Sequence, residues 1–242
     1  MNTIIIEDCM KLKELIKMDG SPVGITYYDV LPNDKYNVDE QVVCQSIQDA
    51  RYGKEMAVCA ENSKCRGGSY FLGLIDKPPY AHKFWTEIEM AYANRCISMS
   101  ISRHNPEPPT SLSKYVSMCP IEKCERVPDL VSFVCQAEQA ARLLGLNAFQ
   151  NGHPPKIYSY AAACAAAIAI PMTTGELHVS FIDNSARTIA DFKSGELIVT
   201  IPAHQISGIA NSITECIWGT ADAPYLKEEA MLKGVWKLKK QD

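Results

Sequence analysis

The feature that most constrains this chain is an internal echo. Gly53 with Glu61-Asn62-Ser63, and Gly175 with Asp183-Asn184-Ser185, keep one internal spacing at an offset of 122 residues, with a β-type run between glycine and acid each time. Each unit reads as a strand followed by an acid-Asn-Ser turn. Cys44 and Cys164 stand nine and eleven residues ahead of the two glycines, each heading a helix-like run, and Pro22-Val23 and Pro128-Asp129 open strands upstream. A duplication of this kind gives two related α/β halves around a pseudo-twofold axis, with Cys44 and Cys164 near it.

The remaining patterns fit that plan. A first helix is expected with Asp8 as N-cap, Leu12, Leu15 and Ile16 on its apolar face, and Asp19-Gly20 as its stop. Val23 to Tyr28 reads as a strand, Leu31 to Asp39 as a loop, Cys44 to Gly53 as a helix and Glu55 to Ala60 as a strand. Phe84 to Ser102 is read as helical. Strands are expected at Tyr115 to Cys119, Leu130 to Val134, Ile157 to Tyr160, Glu176 to Asp183 and Glu196 to Ile201. Gln136 to Leu144 reads as a helix closed by Gly145, Ile206 to Ile217 as another, and Pro224 as the start of a last one. The clearest break is Asn105-Pro106-Glu107-Pro108-Pro109-Thr110. The expectation is one α/β domain over 1–242, a mixed sheet with packed helices, in halves 1–104 and 111–242 joined by loop 105–110.

Composition narrows the function classes. At 47% apolar and 21% charged residues with a net charge of -4, the chain lacks the basic surface that neutralises nucleic-acid phosphates. The apolar stretch from Tyr160 to Ile170 ends at Pro171, too short to span a bilayer, and Ile4-Ile5-Ile6 is interrupted at once by Glu7 and Asp8. A soluble, cytoplasmic protein with neither nucleic-acid nor membrane partners is expected. Apolar carboxyl-terminal helices containing Trp218 and Trp236 favour a homodimer.

The chemistry lies in ten cysteines. Their density is below that of a disulfide scaffold, and no CxxC, HExxH, GxGxxG or GxxxxGK[ST] occurs. Cys65-Arg66-Gly67-Gly68 is the strongest local signal, because glycines after a cysteine leave backbone amides open to an anionic cluster, a phosphate or a thiolate. Arg66 adds positive charge. Cys59 lies six residues earlier, one strand end and a turn away. Cys119 and Cys124 read either as a second metal pair or as a plain strand end and loop, while Cys9, Cys96, Cys135 and Cys216 are expected in the core. His178 is expected to be a hydrogen-bonded imidazole of the core or its rim.

Cys44-Gln45, Cys65-Arg66-Gly67-Gly68 with Leu72-Gly73-Leu74, Pro128-Asp129-Leu130-Val131, Gln139-Ala140-Ala141-Arg142-Leu143-Leu144, and Cys164-Ala165 with Pro171 form an ordered set. In these the sequence resembles the domain-of-unknown-function family 169 of archaea and anaerobic bacteria, over about Leu12 to Ile213. The resemblance implies a cysteine near the first helix, a Cys-x-Gly-Gly turn and a cysteine leading an alanine-rich helix, here Cys44, Cys65 and Cys164. Cys59 lies outside that pattern.

Cysteines from separate segments, two of them related by the echo, suggest an iron-sulfur cluster, most simply [4Fe-4S], held between the halves. Cys44, Cys65 and Cys164 would be ligands, with Cys59 or a non-cysteine group as the fourth. Arg66, Gly67 and Gly68 would offset its charge and donate to its sulfurs. Electron transfer to a redox partner, or activation of a small-molecule substrate in anaerobic metabolism, would follow. The alternatives are a metal-free anion-binding protein or thiol enzyme built on Cys65-Arg66-Gly67-Gly68, and a partner protein whose cysteines are all core.

Overall fold

The computed structural model describes residues 2–108, 113–159, 162–216 and 218–219. Helix α1 (Asn2–Leu15) leads into strand β1 (Val23–Tyr28), whose β-branched and aromatic residues suit a pleated, buried surface. Next come α2 (Val43–Arg51), β2 (Met56–Val58), α3 (Arg66–Phe71), α4 (Ala81–Lys83) with a π-helical turn (Phe84–Ile88), α5 (Arg95–His104) and β3 (Tyr115–Pro120). After a 3-10 turn (Ile121–Lys123) follow β4 (Leu130–Gln136) and α6 (Ala137–Asn151). A π-helical segment (Ala165–Ala169) then runs into α7 (Ile170–Thr174), and β5 (His178–Phe181), α8 (Asn184–Ala190), β6 (Glu196–Pro202) and α9 (Ala203–Asn211) complete the fold.

The six strands form one sheet in the order β2-β3-β1-β4-β6-β5, antiparallel at every pairing and so not the mixed sheet expected, because each strand returns beside its neighbour without a parallel crossover. This α/β architecture carries the duplication in its registers. The order reads alike from both edges, because β1 and β4 meet at the centre, β3 and β6 flank them, and β2 and β5 lie outermost. Val23 pairs with Pro120 as Leu130 pairs with Pro202, and two residues back along β3 and β6, Met118 faces Met56 as Thr200 faces His178. Met56 and His178 are 122 residues apart, the offset of the sequence echo. The central seam is symmetric as well, with Val23 opposite Ser132, Gly24 opposite Val131 and Ile25 opposite Leu130.

Helices cover both faces of this sheet. α1, α6 and α9 pack together over β4 and β6, whereas α2, α3, α7, α8 and the π-helical segment form a second group that reaches β1, β2, β3, β5 and β6. β4 and β6 are consequently buried along nearly their whole length, as strands covered on two sides must be. One polar group crosses the layers. Arg51 at the end of α2 donates from Nη1 to Glu196 Oε1 at 2.8 Å, and both side chains are only 2–3% exposed.

Several expectations are corrected. β3 follows the proline-rich loop yet pairs with β1 and β2, so the repeats divide between β3 and β4 rather than at 105–110. Helix α1 starts at Asn2, because Ile5 and Ile6 extend its apolar face, and Asp8 is buried in its second turn, bonded to Lys11 at 2.8 Å. α6 continues through Gly145, where the Trp218 ring lies so close that a Cβ would come within 2.3 Å of it. The stretch from Phe84 to Ser102 is not one helix, since residues 89–94 separate the π-helical turn from α5, whose outer side leaves Cys96 exposed.

Residues 157–159 follow Pro154-Pro155 and form no strand; Tyr158 N–H donates to His178 Nε2 at 3.0 Å and Phe181 N–H to Ser159 Oγ at 2.9 Å. Side chains close that sheet edge instead of a ladder. Of the two places expected for the His178 imidazole, core or rim, it takes the core, hydrogen-bonded and with burial holding its pKa below the usual range. Pro109, Thr110, Tyr160, Ile217, the helix from Pro224, and Trp236 lie outside the described residues.

Gly24 in β1 is closely walled, since a Cβ there would meet Cys124 Sγ at 2.3 Å and the Ile121 and Pro128 side chains at 3.5 Å. Gly24→Ala is expected to cost about 1–3 kcal/mol by overpacking, read as a lowered urea midpoint. An unchanged midpoint would contradict this packing.

Candidate functional site

Three cysteines occupy helix starts. Cys44 is the second residue of α2, after the extended Val42. Cys65 is the N-cap of α3, with backbone angles of -104° and 100°, and its Sγ accepts the Gly68 N–H at 3.2 Å. Its carbonyl accepts from Ser69 N–H at 2.9 Å, Ser69 Oγ at 3.1 Å and Ser63 Oγ at 3.2 Å, which fixes the residue in place. Cys164 lies in the first turn of the helical run that continues through Ala165–Ala169 into α7. The start of that run is held by Asp183, whose Oδ2 accepts Ala163 N–H at 2.6 Å, while its Oδ1 caps α8 by accepting Ala186 N–H at 2.8 Å.

These segments meet on one side of the sheet, where α3 packs against both α2 and the π-helical segment, and α8 against α2. Gly68 makes the first of these contacts possible. A Cβ on it would approach Val43 Cγ2 to 2.7 Å, so the glycine allows close helix packing. Its amide goes to Cys65, and Arg66 is exposed in the first turn of α3.

The electrostatics show how the thiols group. Burial pushes Cys44 up to about 11, and the charges of Cys65 and Asp183 add to the shift. Burial likewise raises Cys164 well above the ordinary thiol range, reinforced by Cys65, Asp183 and Cys44. Cys44, Cys65 and Cys164 are thus within one another's electrostatic reach. Cys59 is placed otherwise. It is buried after β2, its N–H donates to Asn62 Oδ1 at 2.8 Å, and its thiol donates to Glu61, holding that carboxyl below the usual range.

Because the folded chain holds the Cys44 proton more tightly than an unfolded one, this group stabilises the metal-free fold below the ordinary thiol range. That contribution is lost as pH rises through about 11. Cys44 in metal-free protein should therefore alkylate slowly at pH 8 and accelerate steadily toward pH 11, as followed by peptide mass mapping. Alkylation at pH 8 as fast as that of the exposed Cys96 would overturn the assignment.

Two further features escape sequence reasoning. An aromatic layer lies beside Cys164, with Phe71 stacked on Trp85 at 6.3 Å and His82 and Tyr92 edge-on to Trp85 at 5.8 and 6.5 Å. Glu89, after the π-helical turn, accepts from Ser185 Oγ at 2.9 Å, and burial raises its pKa, with Asp183 adding to the shift. Asn-Ser after the acid in the echo marked the Asp183 turn. Nothing in the local pattern marked Glu89.

Among the described residues no group of three or more His, Cys, Asp or Glu side chains is spaced to chelate a single metal ion. Thiols that hold a cluster stand farther apart than thiols on one ion, since the irons and sulfides lie between them. A family model described as "Uncharacterised ArCR" matches residues 11–212. No curated protein and no solved structure matches the chain.

Proposed function

The chain belongs to the DUF169 family, and from that starting point we propose that it holds an iron-sulfur cluster on Cys44, Cys65 and Cys164. The observation that carries this reading is the meeting of three thiols, each in the first turn or cap of a different helical segment, at mutual electrostatic range. Helix starts present partial positive charge and unpaired amides, which favour thiolates and an anionic cluster. Burial raises Cys44 and Cys164 as it raises the core thiol Cys135, which argues against a nucleophilic thiolate at neutral pH, and a bound cation would bring the thiolates back.

The same geometry points to three protein ligands. Both Asp183 oxygens accept backbone amides, and Cys59 does not enter the charge interactions that link Cys44, Cys65 and Cys164, so the fourth position of a cubane would fall to a ligand from outside. When bound, a cluster with an open iron supplies a Lewis acid as well as an electron store. The chain's own residues orient and shield. Asp183 fixes the Cys164 helix start against α8, Ser185 and Glu89 provide a hydroxyl and a carboxyl with a raised pKa beside that turn, and the Trp85 layer limits water on the Cys164 side. A small-molecule substrate suits this arrangement better than a simple electron relay.

All ten cysteines are free thiols, which fits a reducing cytoplasmic setting, and among the described residues no helix is long and apolar enough to cross a membrane. A homodimer remains part of the proposal. The metal-free alternative, an anion on the Cys65-Arg66-Gly67-Gly68 turn, has less support because Gly68 is accounted for by Val43 and by Cys65. Protein purified anaerobically is expected to be brown, with about equal iron and acid-labile sulfide. Colourless protein that takes up neither after anaerobic reconstitution would discard the cluster.

A further inference from the structure

A second sulfur site lies apart from the first. Cys119 near the end of β3 and Cys124 in the connection between the repeats place their Sγ atoms 3.2 Å apart, closer than unbonded sulfurs ordinarily rest. We propose that this pair is a two-electron redox site that closes reversibly to a disulfide, clipping β3 to the connection that leads into β4.

The surroundings are built for the pair. Cys119 faces Gly24 across the sheet, and the missing Cβ of Gly24 is the space the Cys124 sulfur fills. The 3-10 turn Ile121–Lys123 folds the chain back so that both sulfurs point inward, with Cys119 1% and Cys124 6% exposed. Glu122 and Lys123 before Cys124, and Glu125 and Arg126 after it, are exposed, so a local opening of this turn admits a small oxidant to Cys124 first. The titratable groups around the pair include Cys9 from α1, Glu122 on the turn, Tyr28 and Tyr36, whose own titration feels the pair, and the flanking Lys123, Glu125 and Arg126, the last stacked on the Tyr28 ring. Cys119 and burial raise the Cys124 thiol, so oxidation is slow at neutral pH and quickens as pH rises.

With hydrogen peroxide as oxidant the chemistry balances. Cys124 Sγ attacks the peroxide oxygen, giving a sulfenic acid and one water; Cys119 Sγ then attacks Cys124 Sγ, the S–S bond forms, and hydroxide leaves with the Cys119 proton as a second water. This site does not depend on the cluster, and its test reads neither iron nor activity.

The sequence provides a direct assay, since Lys123 lies between the two cysteines and trypsin separates Tyr115–Lys123 from Cys124–Arg126. Full-length protein is treated with hydrogen peroxide, blocked with iodoacetamide and digested. The expected result is that most of these two peptides run joined, two hydrogens lighter than their sum, and part on adding dithiothreitol. Singly alkylated peptides at a peroxide dose that oxidises the exposed Cys96 would overturn the proposal, as would Cys124 joined to Cys9. Cys119→Ser is expected to abolish the joined species.

Discussion

Single replacement of Cys44, Cys65 or Cys164 by alanine is expected to reduce cluster iron and sulfide from near full occupancy to the background of the metal-free protein. Each removes one of three anchors from a different helix start, and two thiols on separate segments do not hold a cubane. Cys59→Ala and Cys216→Ala are expected to keep the cluster, because Cys59 serves Glu61 and Cys216 is a core residue, 3% exposed. Iron, sulfide and the visible spectrum on all five variants decide the matter. Equal content in Cys44→Ala, Cys164→Ala and Cys216→Ala would sink the ligand assignment, and loss in Cys59→Ala would return the fourth position to that residue.

The largest effect on stability is expected at Arg51. Its Nη1 donates to Glu196 Oε1 at 2.8 Å and to Gln48 Oε1 at 3.2 Å, and its Nε donates to the Asp19 carbonyl at 2.8 Å. Glu196 Oε2 accepts the Lys193 N–H at 2.7 Å. Arg51→Met leaves a buried carboxylate without its counter-charge, which costs about 3–5 kcal/mol and lowers Tm by roughly 10 °C. Removing both charges, as Arg51→Met with Glu196→Leu, is expected to recover most of that loss. Calorimetry on the two variants checks both statements, and a single variant melting within a degree or two of the parent would refute the first.

The strands were the most legible part of the chain. β1 matches its expected span, and β3, β4 and β6 differ by one or two residues, because runs such as Val131 to Cys135 offer no other way to bury so many β-branched and aromatic groups. Long-range contacts set what was not legible. Gly145 reads locally as a helix stop, and only Trp218, far along the chain, explains why α6 runs through it. Arg51 and Glu196 are 145 residues apart and carry no sign of each other. At the site, the spacing of Cys44, Cys65 and Cys164 was readable from the echo and the family pattern. Where Cys59 lies was not, because its place is set by the bond of its N–H to Asn62 in the turn after β2.

The sheet that reads alike from either edge bears on the chain's ancestry. A polypeptide of half this length, with one such set of three strands, would pair its first strand antiparallel with that of a second copy and close a twofold dimer. Joining two copies end to end keeps that sheet and frees each to change alone. The position that matches Cys65 at the repeat offset is Arg187, so the second copy lacks the cysteine that the first one has. A symmetric dimer must carry two identical sites or one site on its axis. A fused chain can gather thiols from both copies into a single off-axis centre, and give the freed positions of the other copy to different work.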